Sequence, residues 1–100
     1  MPYVRIALME AKAENRAEVQ QMQEDLLRYD TSLPGFIDGY LLQDEDGSNR
    51  LGRLTMWNRK EDADHAAQQQ HHLTVRSEMA RLIQVGQTGH IEVGIDAVKV

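Results

Sequence analysis

Four stretches of the chain alternate apolar and polar residues with a period of two; the first and last of the stretches between them repeat at helical spacing, and the middle one is short and polar. From Tyr3 to Met9, residues Val4, Ile6 and Leu8 fall on one side and Tyr3, Arg5, Ala7 and Met9 on the other, as in a strand. A helix is predicted from Glu14 or Asn15 to about Tyr29. There Val19, Met22, Leu26 and Tyr29 form a stripe, and Asn15 and Glu18 have the spacing of a capping box. Leu33-Pro34-Gly35 stops it, because proline cannot continue a helix and glycine accepts a turn. Phe36–Gln43 and Leu51–Trp57 read as two strands of a hairpin, joined by the polar tip Asp44-Glu45-Asp46-Gly47-Ser48-Asn49. In the first, Ile37 and Leu41 oppose Phe36, Asp38, Tyr40 and Leu42. In the second, Leu54 and Met56 oppose Leu51, Arg53, Thr55 and Trp57.

A helical region follows from Arg59 to roughly Val85, with Asn58 and Glu61 as its capping pair. Ala63, Ala66 and Ala67 give its first part a face of small residues, and Gln68-Gln69-Gln70-His71-His72 is a polar joint. Beyond the joint His72, Val75, Met79, Leu82 and Ile83 share a stripe that ends before Gly86 and Gly89. His90 to Val100 closes the chain as a strand, with Ile91, Val93, Ile95 and Ala97 on one side. The order is β-α-β-β-α-β. The expected fold is α+β and ferredoxin-like: a four-stranded antiparallel sheet carrying the helices, in one domain spanning residues 1–100. Both faces of that sheet carry large apolar residues, but the helices cover only one. A second copy of the chain is expected on the other, as a homodimer whose contact includes Ile37, Leu54, Met56 and Ile95.

Composition removes several functions. A net charge of −5 and a pI near 5.2 leave no basic face for nucleic acid. The chain has no cysteine, which rules out disulfides, a thiolate nucleophile and cysteine metal sites. Nothing resembles a signal peptide or a membrane span, so a cytoplasmic protein with no membrane partner is expected. The acidic tip lacks the glutamate that an EF-hand loop begun at Asp44 would need where Thr55 stands. No HExxH, GxSxG or Walker spacing occurs, and no bound metal is expected.

Two groups of residues remain as candidate chemistry. Arg53, Thr55 and Trp57 point the same way from one strand, and the alternation puts Tyr40 and Leu42 on the same face of its neighbour. A guanidinium among aromatic walls suits a planar, anionic or phenolic ligand. The alternative is that Arg53 pairs with Asp38, Glu92 or Asp96 and serves the fold alone. His65 and His72 lie two helical turns apart and would share a face on a continuous helix. His72, on the apolar stripe, is the candidate proton acceptor near neutral pH, and His65 a candidate lining residue. Solvated helix positions, or partners satisfied by other residues of the fold, are the alternatives for both.

Leu33-Pro34-Gly35-Phe36, the strand ending Met56-Trp57-Asn58, and Glu61 together resemble the antibiotic biosynthesis monooxygenase family, small dimeric α/β-barrel proteins. The resemblance covers almost the whole chain. It implies that Trp57 lines a pocket between sheet and helices. Arg53 stands where oxygenase members carry asparagine, and Ala63 where some carry tyrosine. The histidine of haem-degrading members would fall nearer Arg76 than His72. The function so implied is a cofactor-independent monooxygenase acting on a small aromatic or quinol-like molecule. His72 would be its base, Arg53 its cation, and Trp57, Tyr40, Leu42 and His65 its substrate-binding residues. The alternatives are a haem-binding or haem-degrading protein with His65, His71 or His72 as axial ligand, a non-catalytic small-molecule-binding barrel, and a purely structural dimer.

Overall fold

The computed structural model describes residues 2–47, 49–83 and 91–99. Strand β1 (Tyr3–Glu10) leads through a short 3-10 turn (Ala13–Asn15) into helix α1 (Arg16–Asp30). The hairpin β2 (Phe36–Gln43) and β3 (Arg50–Trp57) follows, then α2 (Lys60–Ala67), α3 (Gln70–Met79) and β4 (Ile91–Asp96). All pairings are antiparallel and the strands lie in the order β2-β3-β1-β4, which is the ferredoxin-like sheet. No helix among the described residues is long and apolar enough to cross a membrane.

The helices cover the face that carries Tyr3, Ala7 and Met9 of β1 with Leu51, Thr55 and Trp57 of β3, all of them buried. Two apolar clusters form beneath them. One joins Met9, Leu51 and Ala11 to Val19 and Leu26 of α1 and to Met79 of α3. The other packs Tyr3 and Trp57 against Ala63 and Ala66 of α2, whose small side chains let that helix sit close on the indole. Phe36 meets Trp57 edge to face, with centroids 5.4 Å apart, a contact worth about 0.5–1.5 kcal/mol beyond its buried area. Gly35 makes the turn that brings β2 beside Trp57. Its φ is +84°, and a Cβ there would lie 2.2 Å from the Asp62 carboxylate.

Several local expectations change. The helical region breaks after Ala67, where Gln68 forms a turn and the extended Gln69 is the N-cap of α3, so the polar joint does interrupt it. His65 and His72 therefore do not sit on one continuous face. Neither capping box forms: Asn15 sends its amide to the Leu82 carbonyl at 3.4 Å, and Arg59, not Asn58, occupies the N-cap of α2. Helix α3 ends at Met79, and Ile83 makes a bridge with Ala11. Val85, Gly86, Gly89 and His90 lie outside the described residues.

The largest correction concerns β2. Phe36 pairs with Trp57, but Asp38 pairs with Met56, so the strand carries one extra residue at Ile37. A one-residue bulge moves every later side chain to the other face. Tyr40 and Leu42 thus stand opposite Leu54 and Gly52, on the face away from the helices, and Leu41 comes to lie opposite Arg53. Tyr40 is 55% exposed and bonds Asp38 at 2.9 Å. Strict alternation misplaced both residues because nothing in the composition of β2 announces the bulge.

Candidate functional site

A cavity lies between β3 and the helices, beside Trp57. Its wall includes Asp30, Arg53, Thr55, Trp57, His72 and Arg76, and its free volume is about 50 Å³. Trp57 closes one side, and its indole N–H is already donated to the Thr55 hydroxyl at 2.9 Å. The ring is therefore a wall and not a hydrogen-bond donor to a ligand.

His72 and Asp30 form the polar end. Asp30 is the last residue of α1 and His72 stands in the first turn of α3, so the packing of these two helices brings them together. His72 Nε2 lies 2.6 Å from Asp30 Oδ1, and both side chains are almost wholly buried, at 4% and 2% exposure. An ionised carboxylate only accepts, so Nε2 carries the proton it donates. That leaves Nδ1 as the basic nitrogen, and it is buried without a hydrogen-bond partner. A buried, unpartnered acceptor is uncommon in native folds and calls for an explanation. A base held in one tautomer by a carboxylate is also the arrangement used to activate hydroxyl groups.

Arg53 supplies the cation. None of the three expected acidic partners, Asp38, Glu92 or Asp96, forms an ion pair with it among the described residues; Asp38 lies on the opposite face with Tyr40. Its anchor is neutral. Nη1 donates to Gln23 Oε1 at 2.7 Å, and the Gln23 amide in turn reaches Met9 Sδ at 3.2 Å. Gln23 is fully buried on α1. Burial pushes the Arg53 pKa below that of a free arginine; the charges of Asp30 and Glu92 oppose this and that of Arg76 adds to it. It remains a cation at neutral pH, since arginine starts so high. Among the described residues most of its five N–H donors have no other partner and are left for something in the cavity.

Two further arginines border the site. Arg76 is tied to the backbone, donating to the carbonyls of Ala67 and His72. Arg5 donates to the Tyr3 hydroxyl at 3.0 Å and to Asp64 of α2 at 2.8 Å, which fastens that helix to the sheet. Among the described residues no group of three histidine, cysteine, aspartate or glutamate side chains is placed to hold a metal ion.

Of the residues picked from the sequence, the structure brings Arg53, Trp57 and His72 to one cavity. Tyr40 and Leu42 are on the far face. His65 is exposed on α2 and contacts Gln69, with no part in the cavity wall. Three contributors escaped sequence reasoning: Asp30, Gln23 and Arg76. Asp30 and Gln23 sit on α1 one turn from apolar stripe positions, at Leu26 and Val19, and polar residues so placed are candidates for the buried face.

No curated protein matches the sequence. A Nitrosomonas europaea protein assigned to the antibiotic biosynthesis monooxygenases superposes with a TM-score of 0.85 at 18% identity, over 97% of this chain and 90% of that one. A protein from Mycobacterium tuberculosis gives 0.86 at 14% identity, covering 100% and 98%. SnoaB, a cofactor-independent oxygenase from Streptomyces nogalater, gives 0.83 at 15% identity, covering 99% and 95%. These likenesses establish the fold. The sequence model of one family, antibiotic biosynthesis monooxygenase, matches residues 2–78, which include Arg53, Trp57, His72 and Asp30. By that match the chain belongs to the antibiotic biosynthesis monooxygenase family.

Proposed function

We propose that the protein is a cofactor-independent monooxygenase that oxidises a small phenol or hydroquinone in the Trp57 cavity. The observation that carries this reading is the buried Asp30–His72 pair, whose remaining nitrogen has no partner. His72 Nδ1 takes the proton of the substrate hydroxyl, and Asp30 stabilises the imidazolium that forms. Arg53 holds the resulting phenolate, and the buried residues around it, Trp57, Thr55, His72 and Asp30, strengthen that attraction by keeping the site low in water. The electron-rich ring then gives an electron to molecular oxygen, and the two radicals combine at a ring carbon. Loss of water completes the reaction. For a hydroquinone, one O₂ is consumed and the ring gains one oxygen and loses two hydrogens, giving a hydroxyquinone. The second oxygen leaves as water.

Haem has no part in this reading. His72 gives its Nε2 to Asp30 and faces only about 50 Å³ of space, while His65 and His71 lie outside the cavity wall. The aliphatic face of the sheet, with Leu54, Met56, Val93 and Ile95, is taken to be covered by a second copy of the chain; Val93 and Ile95 are 37% and 49% exposed in one copy alone. Light scattering at micromolar concentration should report a dimer. The function is tested by oxygen uptake with a panel of hydroquinones and phenols, with product identified by mass. Uptake that needs the protein, with one oxygen atom from ¹⁸O₂ in the product, supports the reading. No uptake across the panel overturns it.

A further inference from the structure

The cavity beside His72 does not end the hollow. A second chamber of about 200 Å³ continues from it past Arg53, Arg76 and Glu92, and beyond that junction the described residues of its wall are apolar: Met9, Met79, Ala80 and Ile83, with Ala7 shared by both. The sizes decide what goes where. An apolar cavity of about 150 Å³ is known to admit benzene, so the larger chamber takes a ring and the smaller one does not. The smaller has room only for the ring's oxygen and the reacting atoms. Charge points the same way. Asp30 and Glu92 in the wall equal Arg53 and Arg76 in number, so the formal charges balance although neither acid forms an ion pair with Arg53, and Arg5 is paired with Asp64; a substrate that is already anionic meets no surplus positive charge.

Resting on the monooxygenase reading, we infer that the substrate is a neutral phenol or hydroquinone bearing a short alkyl group, its hydroxyl toward His72 and its alkylated ring against Met9, Met79 and Ile83. Methionine suits this duty, because its flexible thioether conforms to an irregular apolar ligand and favours contact with an aromatic ring. The alkyl group adds buried apolar area, and each extra carbon should tighten binding about three- to fourfold until the chamber is full.

The test needs no turnover. Trp57 is the only tryptophan in the chain and forms part of the cavity wall, so its fluorescence reports occupancy directly. Phenol, 4-methylphenol, 4-ethylphenol and 4-propylphenol are titrated without oxygen, alongside 4-hydroxybenzoate. The expected result is a Kd that falls with each carbon, and a carboxylate that binds more weakly than the alkyl phenol of similar size. Ala80→Phe, which fills the chamber from its exposed rim, should flatten the series; Ile83→Ala, which enlarges it, should extend the trend to longer chains. Tighter binding of the carboxylate, a Kd independent of alkyl length, or no binding of any phenol each overturns the inference. A chain-length trend without oxygen uptake on alkyl hydroquinones would leave this inference standing and remove the monooxygenase reading. Uptake with no such trend would do the reverse.

Discussion

Adjacent residues on α3, His71 and His72, each meet an aspartate of α1, at 2.7 and 2.6 Å, yet they occupy different physical worlds. His71 and Asp25 stand in solvent, with side chains 39% and 50% exposed, and His71 rests on the Tyr29 ring at 4.6 Å between centroids. His72 and Asp30 are buried against Arg53 and the Trp57 wall. Distance therefore says little about role. In water the outer pair competes with hydration and counter-ions, and such contacts contribute about 0–1 kcal/mol. In the cavity the inner pair has no such competition, its geometry is imposed by two helices, and its spare nitrogen has nothing else to bond. What distinguishes a candidate base from a surface contact is burial together with an unmet valence.

The largest effects should follow from the inner pair. Replacing His72 with phenylalanine leaves the Asp30 carboxylate buried with no donor, and stability should fall by about 3–5 kcal/mol in denaturant unfolding. His72→Gln keeps an amide that can donate to Asp30 but removes the base. It should fold, and kcat/KM for hydroquinone oxidation should drop by about 100-fold or more. Full activity in a folded His72→Gln variant would reduce the inner pair to a structural contact like the outer one.

Arg53 comes next. Arg53→Met should abolish binding of phenolate-like ligands, and because it leaves the buried Gln23 carbonyl without its donor it should also lower stability by about 1–3 kcal/mol without unfolding the protein. Gln23→Leu acts on the same cation indirectly. It takes away the acceptor and leaves a guanidinium donor unsatisfied, so stability should fall by about 1–3 kcal/mol. Gln23→Glu should restore the anchor but neutralise the cation, giving a stable protein that binds phenolates weakly. If Arg53→Met unfolds the protein and no ligand binds the parent, Arg53 belongs to the fold alone.

How much of this is legible in the sequence follows from which contacts are local. Strand alternation placed Trp57, Thr55 and Arg53 on the covered face, and Val93 and Ile95 on the open one, because strand period is a property of the chain itself. It failed at Tyr40 and Leu42, where one inserted residue reversed the face. The partners of His72 and Arg53 were unreadable for another reason. Asp30 is 42 residues from His72 and Gln23 is 30 from Arg53, so each pairing exists only through the packing of α1 on its neighbours. The sequence could nominate Arg53 as an ill-placed cation, but not a buried glutamine as its anchor.

A smaller effect belongs to the ion pair at the cavity rim. Hydrogen bonds from Arg5, and then from Lys60, hold the Asp64 pKa below its usual value near 3.8. A carboxylate depressed in the folded state stabilises the fold above its unfolded pKa and loses that contribution as pH falls through the folded one. The pin on α2 should therefore be unchanged between pH 7 and 5 and should weaken only in acid below its ordinary value. Comparing the acid limb of unfolding for the parent and Asp64→Asn tests this; identical limbs would show that Asp64 contributes nothing.

The smallest effect should come from the outer histidine. His71→Ala removes an exposed pair that salt already screens, together with a tilted contact on Tyr29, and the loss should stay within about 1 kcal/mol. Raising the salt concentration should shrink even that difference, since both partners are open to ions. No change in the pH profile of oxygen uptake is expected, because His71 takes no part in the cavity wall. His72→Gln should instead remove the limb of the profile that reports the base. The comparison between the neighbours then becomes a measurement. If His71→Ala alters the profile as much as His72→Gln does, the proton leaves the substrate through the surface pair, and burial is not what makes this histidine a base.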